Sequence, residues 1–170
     1  MWKFHLIGLP FCHSLCIVGF IMKLGFIGTG NITVAVVNGI CGSKIAFKKI
    51  LVSPRNKSKA LKLSKKFKKV SIAKTNQEIV DKCNWIFLAI TPKVGEQIIT
   101  KLKFRSNQKI VSFISTIKLA QLKKFINKKV KIVRAIPLPP ISTGRGPVPI
   151  CPPDKQVKSF FDKIGTTIEI

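Results

Sequence analysis

The sequence predicts an α/β fold: a doubly wound, mostly parallel sheet with helices on both faces. Three observations point to it. From Met22 onward, short apolar runs of strand length alternate with helical patterns, the rhythm of βαβ units. The run Trp85–Ile90 is apolar without a break, as in a strand covered on both faces. Gly28-Thr29-Gly30 falls between the first strand and the first helix. With 170 residues, 46% of them hydrophobic, the chain can build one sizeable core, which excludes wholesale disorder. Gly 11, Pro 10 and Cys 5 exclude collagen-like, low-complexity and disulfide-scaffold classes.

Lys23–Ile27 is a short apolar strand. Asn31–Gly42 has helical spacing, with Ile32, Ala35, Val36 and Ile40 in phase and glycine at its end. Lys49–Val52 is the second strand. Asn56–Phe67 is a lysine-studded helix with Ala60, Leu63 and Phe67 on one face; its run of lysines is the solvated side. Val70–Ala73 is a brief strand, and Thr75 or Asn76 caps a short helix through Cys83. After the Trp85–Ile90 strand, Pro92 opens a helix to about Leu102, because proline suits the first helical position. Lys109–Ile114 is a strand, Leu119–Ile126 a helix and Lys131–Ile136 a strand. A Pro/Gly-rich loop spans Pro137–Pro147. Asp154–Ile164 is a helix and Thr166–Ile170 the last strand. No internal repeat or long linker interrupts the series.

Met1–Ile21 differs from the rest. Its only formal charge is Lys3, and it holds both histidines, His5 and His13. As a signal peptide it lacks a strongly basic start and a small-x-small cleavage site. As a membrane anchor, which needs ~20 apolar residues, it is barely long enough and is broken by Pro10, His5 and His13. The favoured expectation is that synthesis begins at Met22, the only other methionine, so that residues 22–170 are the domain and 1–21 an extension untranslated or disordered. No membrane partner is expected.

Lys+Arg 31 against Asp+Glu 6 gives a formal net charge of +25. Only Arg55, Arg105, Arg134 and Arg145 are arginines; the remaining cations are lysines spread over most surfaces. A sequence reader of nucleic acid clusters arginine with interleaved aromatics, so no specific nucleic-acid partner is expected, although salt-sensitive adhesion to polyanions follows from the charge alone. Cys12, Cys16, Cys41, Cys83 and Cys151 are odd in number, scattered and without a C-x-x-C pair, which fits a reducing cytoplasm. His5, Cys12, His13 and Cys16 match no common zinc spacing, and no metal is expected.

The glycine turn carries the chemistry. Gly28 permits a tight turn, Gly30 lets a pyrophosphate approach the backbone, and the following helix end supplies N–H donors at Asn31 and Ile32. Thr33 occupies the third glycine position, where looser helix–strand packing is expected. A site for NAD wants a carboxylate at the end of the second strand, ~20 residues on. The chain has no acidic residue before Glu78. The second strand ends in Val52-Ser53-Pro54-Arg55-Asn56-Lys57. There Ser53 can donate to a 2′-phosphate, Arg55 can clamp it, and Lys57 and Lys59 add potential. The cofactor expected is NADP.

Met22–Ile170 resembles the N-terminal, Rossmann-like cofactor domain of the pyrroline-5-carboxylate reductase family. LGFIGTGNI, which includes Ile27, Gly28, Thr29, Gly30, Asn31 and Ile32, resembles the family's opening fingerprint. Ser53-Pro54-Arg55 sits where family members bind the NADP phosphate, and Asn76 where the family has an asparagine near the adenine ribose. WIFLAITPKV resembles the strand and turn that run past the cofactor, with Ala89, Ile90, Thr91 and Pro92. IVSFISTIKLAQLKKF resembles the next strand–turn–helix, with Ser115 and Thr116 at the turn beside the nicotinamide. VRAIPLPPISTGRGPVPICP resembles the signature that ends the domain. The resemblance implies reduction of a cyclic imino acid, 1-pyrroline-5-carboxylate, to L-proline with NADP. A related family that couples NADP to a deazaflavin shares the domain type.

Thr91 stands where the family usually has lysine, Leu138 and Pro139 replace an Asn-Thr pair, and Arg145 replaces an acidic residue. These positions border the nicotinamide and substrate, so another substrate, or a non-catalytic NADP-binding or partner-binding module, is the alternative. The family's C-terminal helical domain, which makes the dimer and much of the imino-acid site, is absent from a sequence that stops at Ile170. The expectation is a truncated or divergent member, with a homodimer only where that domain is present. Imine reduction asks chiefly for positioning and exclusion of water, and no general acid stands out. Outside residues 1–21 there is no histidine. Glu78, Asp81, Glu96, Asp154, Asp162 and Glu169 fall on predicted helices or the final strand, mostly as surface charges. No catalytic residue is assigned.

Overall fold

A computed structural model describes residues 22–126 and 129–170; the expectations about residues 1–21 lie outside the described residues. Strand β1 (Met22–Ile27) leads to helix α1 (Asn31–Cys41), then β2 (Phe47–Val52), α2 (Lys57–Lys66), β3 (Val70–Ile72), α3 (Asn76–Lys82) and β4 (Trp85–Leu88). The second half runs α4 (Pro92–Ile99), β5 (Lys109–Ser112), α5 (Leu119–Ile126), β6 (Lys131–Ala135), a 3-10 turn at Pro139–Thr143, β7 (Pro147–Cys151), α6 (Lys155–Phe161) and β8 (Thr166–Glu169). The caps follow from side-chain chemistry. The Asn56, Thr75 and Asp154 side chains accept the first free N–H groups of α2, α3 and α6.

The eight strands lie in the order β3-β2-β1-β4-β5-β6-β7-β8, parallel except for the β6–β7 pair. The chain winds outward from β1 to β3, returns to place β4 beside β1, and winds outward again. The strand order therefore reverses between β1 and β4, which opens a crevice at their carboxyl ends.

Alternation along β1 divides the core. Leu24 and Phe26 face one side, where Val36 and Ile40 of α1, Leu63 of α2 and Val157 and Phe161 of α6 cover them. Ile27 faces the other, with Ile79 of α3, Ile99 of α4 and Leu122 and Ile126 of α5. Helices thus cover both faces. The phenylalanines concentrate on the first side. Phe26 stacks on Phe87 at 4.5 Å, Trp85 and Phe87 meet Phe160 at 5.1 and 5.6 Å, and Phe160 meets Phe161 edge-on.

Two features depart from the sequence expectation. The Pro137–Pro147 loop holds a helical turn and hands over to a strand, β7, that the prolines conceal. Val148 and Ile150 alternate inward, and Pro149 serves as an acceptor, its carbonyl taking the Ile136 N–H at 3.0 Å. Asp154 is not a surface charge. Both its oxygens accept from Lys109 Nζ at 2.8 Å, with the side chains only 9% (Lys109) and 15% (Asp154) exposed. That ammonium also lies over the Trp85 ring. Partial burial works against the Asp154 carboxylate, but the Lys109 ammonium and two α6 N–H groups outweigh it and hold the carboxyl below its ordinary range.

Candidate functional site

The crevice between β1 and β4 is a cleft of about 490 Å³ lined by Gly28, Thr29 and Gly30, by Arg55 and Lys57, and by Ala89, Ile90, Thr91 and Val94. The glycine turn forms one wall. Gly28 has φ +103°, and a Cβ there would stand 2.3 Å from the Ala89 carbonyl oxygen, so only glycine lets the two loops meet. A Cβ on Gly30 would meet nothing within 4 Å: the space above it is open to the cleft. Gly30 caps α1 without a side chain, so the first N–H groups of an eleven-residue helix keep no side-chain partner and face the opening.

Hydrogen bonds fix the turn from below. The Thr29 hydroxyl donates to the Ser53 carbonyl at 2.7 Å, tying the turn to the end of β2. Thr33 does not loosen the packing as expected. It is fully buried, and its hydroxyl donates to the Gly28 carbonyl at 2.7 Å. The sequence pattern reads that position by size alone, whereas the hydroxyl completes the turn.

The end of β2 supplies the cations. Arg55 and Lys57 line the cleft, and Lys59 Nζ donates to Asn31 Oδ1, joining the starts of α1 and α2. Among the described residues no carboxylate lines it. Ser53, at the end of β2, is wired to the start of α3. It is 2% exposed, and its hydroxyl donates to Asn76 Oδ1 at 2.8 Å, so it sets the orientation of Asn76 at the first position of α3. Ile27 is wholly buried in the core, and Ile32 packs half-buried on the opposite cluster. Across the cleft, Thr91 and Pro92 start α4 with no side chain capping it.

Ser115 and Thr116 are exposed on the turn between β5 and α5 and are not among the residues lining this cleft. Arg134 of β6 braces that turn: its guanidinium donates to the Ile117 carbonyl, while its buried Nε finds no partner. Sequence reasoning passed over Arg134 and Val94. The Thr91-Pro92 helix start is the signal that places Val94 at the cleft, whereas nothing local marks Arg134. Among the described residues no three His, Cys, Asp or Glu side chains come together, and no helix is long and apolar enough to cross a membrane. The candidate ligands His5, Cys12, His13 and Cys16 lie outside the described residues.

Comparison with known proteins agrees with this geometry. The family described as NADP oxidoreductase, coenzyme F420-dependent, matches residues 23–118, more than half of the chain. Pyrroline-5-carboxylate reductase 3 of Danio rerio is 30% identical over 121 residues, covering 69% of this chain and 41% of that protein. The pyrroline-5-carboxylate reductase of Escherichia coli K12 is 27% identical over 133 residues, covering 76% and 49%. The chain therefore spans about half the length of the curated relatives it matches. Among solved structures, Plasmodium falciparum pyrroline carboxylate reductase with NADP bound superposes with a TM-score of 0.75 at 23% identity, covering 88% of this chain and 57% of that one. At that identity the last likeness is one of fold.

Proposed function

The chain belongs to the NADP oxidoreductase, coenzyme F420-dependent, family, and on that premise we propose that it is an NADP-binding oxidoreductase domain of the pyrroline-5-carboxylate reductase type. One observation carries the reading. The cleft at the β1–β4 switch point joins an open glycine, an uncapped helix start, Arg55 and Lys57, and among the described residues no carboxylate lines it. That donor set fits a dinucleotide with an extra phosphate. Gly30 and the N–H groups of α1 take the diphosphate. Arg55 clamps the 2′-phosphate through its planar fork, with Lys57 and Lys59 adding potential. Asn76, held by Ser53, is assigned to the adenosine end by the family resemblance. Ala89, Ile90 and Thr91 form the opposite wall, and the family resemblance is what assigns the Ser115–Thr116 turn, braced by Arg134, to the nicotinamide end.

When bound, the dihydronicotinamide supplies a hydride to an electrophilic carbon. The residues of this chain contribute binding, orientation and exclusion of water on one side of the cofactor. The relatives' printed names make a cyclic imino acid the substrate class we assign, with L-proline as product.

Titration with NADPH and with NADH, followed by nicotinamide fluorescence, tests the reading. NADPH should bind at least about tenfold more tightly than NADH, and Arg55→Asp should abolish that preference. Binding of neither would sink the oxidoreductase reading. NADPH oxidation on addition of 1-pyrroline-5-carboxylate then separates an enzyme from a domain that only binds the nucleotide.

A further inference from the structure

Resting on the nucleotide reading above, we propose that Arg134 of β6 is a positioning residue for the nicotinamide half of the bound dinucleotide. It holds the β5–α5 turn in the shape that receives that half, and does not itself touch the ligand.

Arg134 sits at odds with its surroundings. It follows Ile132 by two residues, so both side chains leave the sheet on the face that α5 covers. Its register partner on β5 is Ser112, which is wholly buried. Among the described residues no carboxylate pairs with the half-buried guanidinium, and its buried Nε has no partner. Both features cost stability, and an apolar side chain of similar length would suit the core better. What the guanidinium gains is its bond to the carbonyl of Ile117.

That bond closes a frame around the turn. At the start of the turn, the Phe113 N–H donates to the Leu88 carbonyl at 2.9 Å and the Ile114 N–H to Ser112 Oγ at 3.2 Å. At its end Ile117 is held twice. Arg134 takes its carbonyl, and its side chain lies against α4, where a Cβ on Gly95 would stand 3.0 Å from Ile117 Cδ1. Val94, next to that glycine, lines the nucleotide cleft. Between these anchors Ser115 and Thr116 stay exposed. Strand order says what passes above them. Arg55 follows β2 and Gly30 follows β1, and β4 and β5 come next across the sheet. A dinucleotide with its 2′-phosphate at Arg55 and its diphosphate at Gly30 therefore carries its other half over the ends of β4 and β5.

The experiment compares two ligands on the full chain. Adenosine 2′,5′-bisphosphate lacks the nicotinamide and reports the Arg55 end alone, whereas NADPH reports both ends. Arg134→Met keeps an apolar stem and removes the donor. It should leave the bisphosphate affinity, read by calorimetry, within about twofold of the parent, while NADPH weakens about tenfold. The emission of the NADPH that still binds should move toward that of the free nucleotide, because the ring loses its fixed surroundings. Arg134→Lys keeps the charge and a donor but not the planar fork, and should fall between. Neither variant should lower Tm by more than about 4 °C. Where Arg134→Met melts lower than that, the same split in the lysine variant decides. Equal weakening of both ligands in a folded variant marks a general scaffold role and overturns the proposal, as does unchanged NADPH binding. A parent that binds neither ligand overturns the nucleotide reading and this inference with it; a parent that binds both, with no split in the variants, overturns the inference alone.

Discussion

Gly28 and Gly30 belong to one motif, yet the structure gives them opposite duties. A side chain at Gly28 would collide with the Ala89 carbonyl on a backbone of φ +103°, so Gly28→Ala should cost about 3 kcal/mol or more, read as a fall in the denaturation midpoint. Gly30→Ala meets empty space. It should leave stability within about 0.5 kcal/mol while weakening NADPH binding at least about tenfold, because its methyl fills the approach to the diphosphate. The motif's place in the chain was plain in the sequence, since glycine spacing after an apolar strand reports a backbone requirement. The side-chain wiring beneath was hidden. Ser53 is named correctly as part of the β2 end, but its engagement with Asn76, 23 residues away, depends on where α3 begins relative to the sheet. The motif marks Thr33 by bulk, whereas the hydroxyl is what ties it to the Gly28 carbonyl.

Among the elements, those with clear apolar periodicity were legible almost to the residue, as with Leu119–Ile126. The strand β7 was not, because prolines at 147 and 149 suppress any strand reading, and only a neighbour that uses their carbonyls makes the segment extended. The start of α6 was legible as a helix cap but not as half of an ion pair, since Lys109 lies 45 residues earlier. Asp154→Asn separates the two roles. The amide still accepts from the α6 N–H groups, while the charge opposite Lys109 disappears. It should destabilise by about 2 kcal/mol at neutral pH, lowering Tm by about 4–8 °C. The sign with pH follows from the depressed carboxyl. Its contribution is complete above the unfolded value of about 3.9 and is lost as pH falls through the lower folded value. The gap between parent and variant should therefore close in acid, which melting curves taken down the pH scale would show.

The whole molecule carries +25 charges, and among the described residues three ion pairs relieve them. Self-repulsion should accordingly dominate at low ionic strength. Raising salt from about 10 mM to about 150 mM should lift Tm by several degrees, and a flat or falling response would contradict this. The doubly wound architecture was the most legible property of all, because each βαβ unit declares itself by alternating periods and the handedness of the crossovers leaves few ways to assemble them.

The order of the strands also leaves the sheet with two unlike margins. β3 is three residues long and is preceded by the exposed Lys68 and Lys69, a poor template for another strand. β8 is longer and carries the exposed Ile168, with Ile170 just beyond. Among the described residues the β8 margin is therefore the better template for a further strand. Two copies joined β8 to β8 about a two-fold axis would present only their β3 margins outward, and the ribbon would stop at a pair instead of propagating into a fibre.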